Sequence, residues 1–155
     1  VLIADEPTTG LDTVNQAAAL ESLAEQHRQV GMAMILISHD LGVVDAMVED
    51  IAVMYAGRVI MSSATPLFRQ MADDRLHPYA LEMRRSKERR ARNLALTDGE
   101  NRAATSRVPG GCQYRGRCAL KPQLSAELHA RCVEEAPPLQ QRSEGHSVAC
   151  WGIAT

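Results

Sequence analysis

Two short apolar runs, each followed directly by chemically active side chains, constrain the fold more than any other feature of the sequence. Residues 1–4 lead into Asp5 and Glu6, and residues 32–37 lead towards His39. Each run has the length and composition of a buried strand. Strands that alternate with helices pair in parallel, so we predict an α/β sheet. The three side chains then fall at the carboxyl ends of strands, where such sheets bind ligands.

The segment between the two runs has the pattern of an amphipathic helix over residues 14–29. Thr13 is the predicted N-cap, and Gly31 is predicted to end the helix. The predicted apolar face consists of Val14, Ala17, Ala18, Leu20, Leu23 and Ala24.

Shorter elements follow the second run. We predict a helix over 41–48 and a β-hairpin with strands at 51–55 and 58–61 around a turn at Ala56 and Gly57. A further helix is predicted over 65–72, with Pro66 in its first turn.

The charge of the chain is divided between its two halves. The 155 residues carry 17 Lys and Arg against 19 Asp and Glu, but residues 1–83 hold 4 basic and 12 acidic side chains and residues 84–155 hold 13 and 7. The overall balance argues against a general nucleic-acid binder, and the asymmetry indicates two regions with different surroundings. The apolar runs are much shorter than the ~18 residues of a membrane-spanning helix.

A strand that ends in two carboxylates has the form of a Walker B motif, which serves phosphoryl transfer from a nucleotide. Asp5 would hold Mg²⁺, usually through water, because this hard cation takes few direct carboxylate ligands. Glu6 would polarise the attacking water. A solvated acidic pair at an ordinary strand end is the alternative.

Longer motifs decide between these readings. The sequence LIADEPTTGLD at 2–12, followed by ISHDLGVV at 37–44, resembles the ABC-transporter ATPase family. Together with the VMYAGR hairpin at 53–58 and the His-Pro-Tyr tripeptide at 77–79, it is similar to the ATP-binding subunits of bacterial dipeptide and oligopeptide importers.

The resemblance implies a role for each matching residue. Asp5 would be the Mg²⁺-associated carboxylate and Glu6 the catalytic base. Asp12 would be the D-loop residue that contacts the opposite subunit. His39 would be the switch histidine that touches the γ-phosphate, and an imidazole can donate to a phosphate oxygen.

Some elements of the family are missing or altered. The sequence contains no Walker A loop, Q-loop or signature motif. Because these lie upstream in the family, and because Val1 is not a start methionine, we expect a C-terminal fragment that is inactive alone. Gly10, and the pair Ser62 and Ser63, depart from the peptide-importer pattern but not from the ATPase pattern.

All four cysteines, Cys112, Cys118, Cys132 and Cys150, lie in the last third of the chain with spacing C-x5-C-x13-C-x17-C. Structural disulfides are rare in a reducing cytosol, and residues 108–155 are too few and too polar to form a stable core unaided. Zinc sites usually contain a close Cys pair, so the wide spacing favours a 4Fe–4S cluster over zinc. Free thiols or non-native disulfides are the remaining alternative, and His129 and His146 are reserve ligands. The importer subfamily also carries such cysteines in its C-terminal extension.

The basic run at 84–92 contains six basic residues in nine. It is predicted to be a solvated helix face or linker, with contact to anionic lipid headgroups as the alternative. Residues 93–110 are predicted to be a linker. The predicted domains are 1–76, the C-terminal part of an ABC ATPase domain; 77–110, the tripeptide and basic linker; and 111–155, the cysteine-rich extension.

The resemblance implies a subunit that couples hydrolysis of ATP, with Mg²⁺, to uptake of peptides or a related cargo such as nickel complexes. It would act on the cytoplasmic face of the bacterial inner membrane, with a second ABC ATPase subunit and two transmembrane permeases. An extracytoplasmic peptide-binding protein would be an indirect partner, and no nucleic acid is expected. The alternatives are a soluble ABC-type ATPase of the DNA-repair class and, for the fragment alone, a non-catalytic metal-binding and dimerisation module.

Overall fold

A computed structural model describes residues 1–91 and 108–153 of the chain. The chain divides into two compact units, Val1–Val48 and Glu49–Thr155. The predicted domain boundaries at 76 and 110 stay predictions, and most of the predicted linker lies outside the described residues.

The first unit is a strand–helix–strand motif followed by a short helix. It consists of β1 (Leu2–Asp5), α1 (Thr13–Val30), β2 (Met34–Ile37) and α2 (Leu41–Met47). The two strands pair in parallel, with Leu2 opposite Met34 and Asp5 opposite Ile37. This register confirms the predicted parallel pairing, and β2 starts two residues later than predicted.

Strand burial in this unit differs from the prediction. The strands form a two-stranded sheet, and Ile3, Ile35 and Ile37 on one face are 64%, 52% and 46% exposed. The predicted apolar face of α1 is also only partly correct. Val14 is 77% exposed, and Ala17 and Ala18 are exposed as well.

The ends of α1 show why the helix occupies its residues. Gly31 ends it in the left-handed conformation, with φ of 63°, as predicted. The N-cap is Asp12 rather than Thr13. Asp12 has an extended backbone, and its carboxylate accepts the N–H groups of Val14 and Asn15, so Thr13 becomes the first helical residue.

The second unit is built on a four-stranded antiparallel sheet in the order β3-β4-β6-β5. The strands are β3 (Asp50–Tyr55), β4 (Arg58–Ala64), β5 (Gln140–Ser143) and β6 (His146–Val148). The predicted hairpin turn is confirmed, because Ala56 and Gly57 both have positive φ.

Strand β4 extends three residues beyond the predicted end because it has a second neighbour. Met61 lies opposite Val148 and Ser63 lies opposite His146. The hairpin near the middle of the chain is therefore in one sheet with the strands that flank the last cysteine.

The helices of the second unit are α3 (Thr65–Gln70), α4 (Pro78–Ala91) and α5 (Ala126–Glu134), with single turns of 3-10 helix at Asp73–Arg75 and Lys121–Gln123. Helix α3 ends two residues early because Met71 is extended. The core contains Met61, Phe68, Leu76, Ala80 and Val148, each at most 2% exposed. Within the described part of the chain, none of the helices is long and apolar enough to cross a membrane.

The basic run on α4 is not uniformly solvated. The Arg84 side chain is 14% exposed, donates to the backbone carbonyls of Phe68 and Met71, and pairs with Asp73. Arg85 pairs with the same carboxylate but is 56% exposed. At least one arginine of this run therefore anchors α4 to the preceding loop.

Candidate functional site

The first candidate site lies at the carboxyl ends of β1 and β2. Because the strands are parallel and in register, the residues that follow them meet at one edge of the sheet. The backbone N–H of Glu6 donates to the carbonyl of Ile37 at 2.8 Å, which extends the pairing one residue beyond the strands. This contact places Glu6 directly beside the segment that carries His39.

The Glu6 carboxylate is held by three donor groups. The backbone N–H of His39 donates to Oε1 at 3.0 Å, and His39 Nδ1 lies 2.9 Å from Oε1 and 2.8 Å from Oε2. The Thr9 hydroxyl donates to Oε2 at 2.9 Å. Glu6 has a φ of 48°, in the left-handed region that costs a non-glycine residue about 1–2 kcal/mol. Strain of this kind at a fixed carboxylate is typical of functional sites.

These contacts determine the protonation of Glu6. The hydrogen bond from the His39 side chain lowers the pKa of Glu6 below its ordinary value, so Glu6 is a carboxylate at neutral pH. Nδ1 of His39 faces this carboxylate and therefore carries a proton. The imidazole is 71% exposed, which leaves its Nε2 edge open to a bound molecule.

The two predicted aspartates differ in their surroundings. Asp5 is exposed at the end of β1, and an exposed carboxylate beside Glu6 is a donor set that suits a hard cation such as Mg²⁺. Asp12 is also exposed, but its carboxylate caps α1. The backbone N–H of Asn15 lowers the pKa of Asp12, so this cap is charged at neutral pH.

The second candidate site is a cavity of about 210 Å³ that all four cysteines line. They come from three places in the second unit: Cys112 and Cys118 from the loop before α5, Cys132 from α5, and Cys150 from the residues after β6. The structure therefore brings together the four residues that the sequence identified as one group.

Local geometry explains how Cys112 and Cys132 meet. The backbone N–H of Cys112 donates to the carbonyl of Cys132 at 2.8 Å. The residue before it, Gly111, has a φ of 60°, and a Cβ there would lie 2.3 Å from the carbonyl oxygen of Val133. Only glycine permits this approach of the loop to the end of α5.

The cavity disfavours thiolates unless a cation compensates them. Burial raises the pKa of Cys112 and Cys132, and it raises the pKa of Cys150 to about 11. Neighbouring cysteines raise these values further, because thiolates in one cavity repel each other. Four sulfur donors around a shared space fit the chemistry of a multi-iron cluster. Across residues 1–91 and 108–153, however, no group of three or more His, Cys, Asp or Glu side chains is arranged to hold a metal ion.

The histidines near the cysteines are only partly those that the sequence indicated. His129 on α5 lines the cavity. His146 does not belong to its lining, and its Nε2 contacts the carbonyl of Arg75 instead. His77 lines the cavity, although the sequence assigned it only to a family tripeptide. Its burial lowers its pKa to about 4, and no sequence signal other than that tripeptide could have placed it there.

Comparison with known proteins supplies the family. No family model matches the chain. The oligopeptide transport ATP-binding protein OppD of Salmonella typhimurium is 36% identical over 154 residues, which are 97% of this chain and 42% of the relative. The dipeptide transport ATP-binding protein DppD of Bacillus subtilis is 36% identical over 155 residues, 97% and 43%. DppF of Haemophilus influenzae is 30% identical over 153 residues, 99% and 45%.

The chain is a homologue of peptide ABC transporter ATP-binding proteins. The family predicted from its motifs is thus confirmed, and so is the α/β fold class. The chain spans somewhat less than half the length of the curated relatives that it matches.

Proposed function

We propose that this chain carries the catalytic carboxylate and the switch histidine of an ATP-hydrolysing subunit of a peptide importer. The observation that carries the proposal is the contact between Glu6 and His39 at the carboxyl ends of two parallel strands. Relatives named for dipeptide and oligopeptide transport support a peptide importer over an ATPase of the DNA-repair class. Related cargoes such as nickel complexes belong to the same proposal.

Each residue has a distinct task in this proposal. Asp5 holds Mg²⁺ through water, and Glu6, kept ionised by His39, orients the attacking water and accepts its proton. His39 donates from Nε2 to a phosphate oxygen. Bound ATP with Mg²⁺ supplies the phosphoryl group and the cation that neutralises its charge.

The test is turnover in the full-length subunit. Glu6→Gln keeps the size of the side chain and removes the charge, so we expect ATP to bind and turnover to fall by about 10²-fold or more. His39→Ala removes the phosphate donor and should also stall hydrolysis. Glu21→Gln, on the exposed surface of α1, is the matched control and should hydrolyse ATP normally. Normal turnover in both Glu6→Gln and His39→Ala would refute the assigned mechanism.

The same proposal defines the partners and the location. The subunit pairs with a second ABC ATPase subunit, which Asp12 contacts, and it docks on two transmembrane permeases. An extracytoplasmic peptide-binding protein delivers the peptide to these permeases and is an indirect partner. It lies on the cytoplasmic face of the inner membrane and binds no nucleic acid. Residues 1–155 alone should not bind ATP, since they contain no phosphate-cradling loop. Micromolar binding in calorimetry would contradict this expectation.

We also propose that Cys112, Cys118, Cys132 and Cys150 hold a 4Fe–4S cluster. The shared cavity supports the proposal. A single zinc ion needs all its ligands within about 2.3 Å of one point, whereas a cluster spreads four cysteines over different irons, and the wide spacing of the four cysteines along the sequence favours the second case. Anaerobically purified protein should contain about four irons per chain. Stoichiometric zinc without iron would replace the cluster with a zinc site.

A further inference from the structure

We propose that Thr9 is a positioning residue for Glu6, and that its hydroxyl holds the carboxylate in the orientation that accepts a proton from the attacking water. This inference rests on the proposed role of Glu6 as the base. The motif at 2–12 predicted roles for Asp5, Glu6 and Asp12, but none for Thr9.

The contact between Thr9 and Glu6 has a defined direction. Thr9 Oγ1 lies 2.9 Å from Glu6 Oε2. An ionised carboxylate only accepts hydrogen bonds, whereas a hydroxyl supplies one donor. Thr9 is therefore the donor as long as Glu6 is ionised, and the bond stabilises the form of Glu6 that can take a proton from water.

A tight turn of the backbone places Thr9 next to Glu6. The N–H of Thr9 donates to the carbonyl of Glu6 at 3.1 Å, which closes a turn of four residues. Pro7 occupies the second position of this turn, where its fixed φ is favoured. Thr8, in the third position, is only 8% exposed, and its carbonyl accepts the N–H of Leu11 at 3.2 Å. The position of Thr9 relative to Glu6 is thus set by the backbone and by burial of its neighbour.

Thr9 and His39 hold different oxygens of the same carboxylate. The backbone N–H of His39 donates to Oε1 at 3.0 Å, and the Thr9 hydroxyl donates to Oε2 at 2.9 Å. A single hydrogen bond would leave the carboxylate free to swing about the oxygen that it holds, whereas two bonds from separate segments fix its plane. Because a carboxylate has about four lone-pair sites, Glu6 can still accept a proton from water.

Glu6 depends on these contacts because its own backbone conformation is unfavourable. Its φ of 48° lies in the left-handed region, although a residue before a proline favours extended backbone. Such conformations persist only where the surrounding contacts hold them. In the proposed mechanism His39 also donates to a phosphate, whereas Thr9 has no other task. Thr9 is therefore the contact whose only effect is on the orientation of Glu6.

The first test removes the hydroxyl and keeps the shape of the side chain. In the full-length subunit, Thr9→Val should lower the kcat of ATP hydrolysis by about tenfold, which corresponds to about 1.4 kcal/mol. This is the lower end of the range for a hydrogen bond to a charged group, as expected for an exposed residue. The KM for ATP should stay unchanged, because the bond acts on the chemical step and not on binding.

Two further variants separate the hydroxyl from the rest of the side chain. Thr9→Ser restores the donor and should recover the wild-type kcat. Thr65→Val is the matched control, because the buried Thr65 Oγ1 has no hydrogen-bond partner within the described part of the chain. It should hydrolyse ATP normally.

Three results would overturn the role of Thr9: a wild-type kcat in Thr9→Val, an equal loss in Thr9→Ser or Thr65→Val, or a change confined to KM. The Glu6→Gln variant distinguishes this failure from failure of the proposed function. Normal turnover in Glu6→Gln would refute the function of the site. Slow turnover in Glu6→Gln with normal turnover in Thr9→Val would refute the role of Thr9 alone.

A measurement without nucleotide tests the position of the carboxylate directly. The full-length subunit is labelled with ¹³C at the carboxyl carbons of glutamate, and the resonance that is absent from Glu6→Gln is assigned to Glu6. Carbon relaxation should show a more mobile Glu6 side chain in Thr9→Val than in the wild type, Thr9→Ser or Thr65→Val. Equal mobility in all four proteins would refute the inference whatever the turnover.

Discussion

Two adjacent glycines offer a direct test of how the cysteine loop is held. Gly110 and Gly111 have nearly the same positive φ, 64° and 60°. A Cβ on Gly110 would lie 3.9 Å from the nearest atom, the carbonyl oxygen of Val133. A Cβ on Gly111 would lie 2.3 Å from that oxygen and 2.5 Å from the carbonyl oxygen of Cys132. The two alanine substitutions therefore impose the same strain of a positive φ, but only Gly111→Ala brings a Cβ into steric conflict with the backbone of α5.

The size of each effect can be worked from these distances. Each substitution costs about 1–2 kcal/mol for an L residue in the left-handed region. In Gly111→Ala, a carbon and an oxygen that normally stay about 3.3 Å apart must also separate by about 1 Å. That movement breaks the 2.8 Å hydrogen bond from Cys112 to Cys132, at a further cost of about 1–3 kcal/mol if the groups stay buried. We expect about 1 kcal/mol of destabilisation for Gly110→Ala and about 3 kcal/mol for Gly111→Ala.

The assay is urea unfolding followed by the fluorescence of Trp151, the single tryptophan of the chain. Trp151 suits this purpose because it lines the cavity and stacks against Arg131, whose guanidinium carbon is 3.6 Å from the centre of the ring. Equal losses of stability in the two variants would show that the close approach of the loop to α5 does not matter, and would refute this reasoning.

Three further substitutions or conditions test other parts of the molecule. Folding lowers the pKa of His77 from 6.5 to about 4, so the stability that the neutral ring contributes is full above pH 6.5 and is lost as the pH falls towards 4. Urea unfolding across this range should show a loss of about 3 kcal/mol. The His77→Asn variant should show a smaller loss. Asp12→Ala should destabilise α1 by about 1 kcal/mol as measured by hydrogen exchange, and Asp12→Asn by much less, because only the first removes the cap. Arg84→Ala leaves two backbone carbonyls unpaired and should cost about 1–3 kcal/mol in thermal unfolding, whereas Arg85→Ala breaks an exposed ion pair worth at most about 1 kcal/mol; equal costs would contradict the anchoring role of Arg84.

Much of the local structure could be predicted from the sequence because it depends on neighbouring residues. The parallel strands, the end of α1 at Gly31 and the turn at Ala56 and Gly57 each follow from periodicity or from a residue that tolerates positive φ. The N-cap was misplaced by one residue because Asp12 and Thr13 are both good caps. The choice depends on which of them adopts an extended backbone.

The same limit applies to the candidate sites. Motif spacing was enough to pair Glu6 with His39, because parallel strands in register bring their carboxyl ends together. It was also enough to group the four cysteines, but it could not show that Gly111 permits the close approach of Cys112 to Cys132.

By itself, the sequence determined the family, the strand–helix–strand motif and the identity of the reactive side chains, since all of these are written in short stretches of residues. Only the tertiary structure decided that the hairpin β3–β4 joins the sheet of β6, that Arg84 anchors α4, and that His77 lies among the cysteines. The physical reason is that such contacts join segments far apart in the chain. They depend on packing and on the satisfaction of buried polar groups, and no local pattern encodes them.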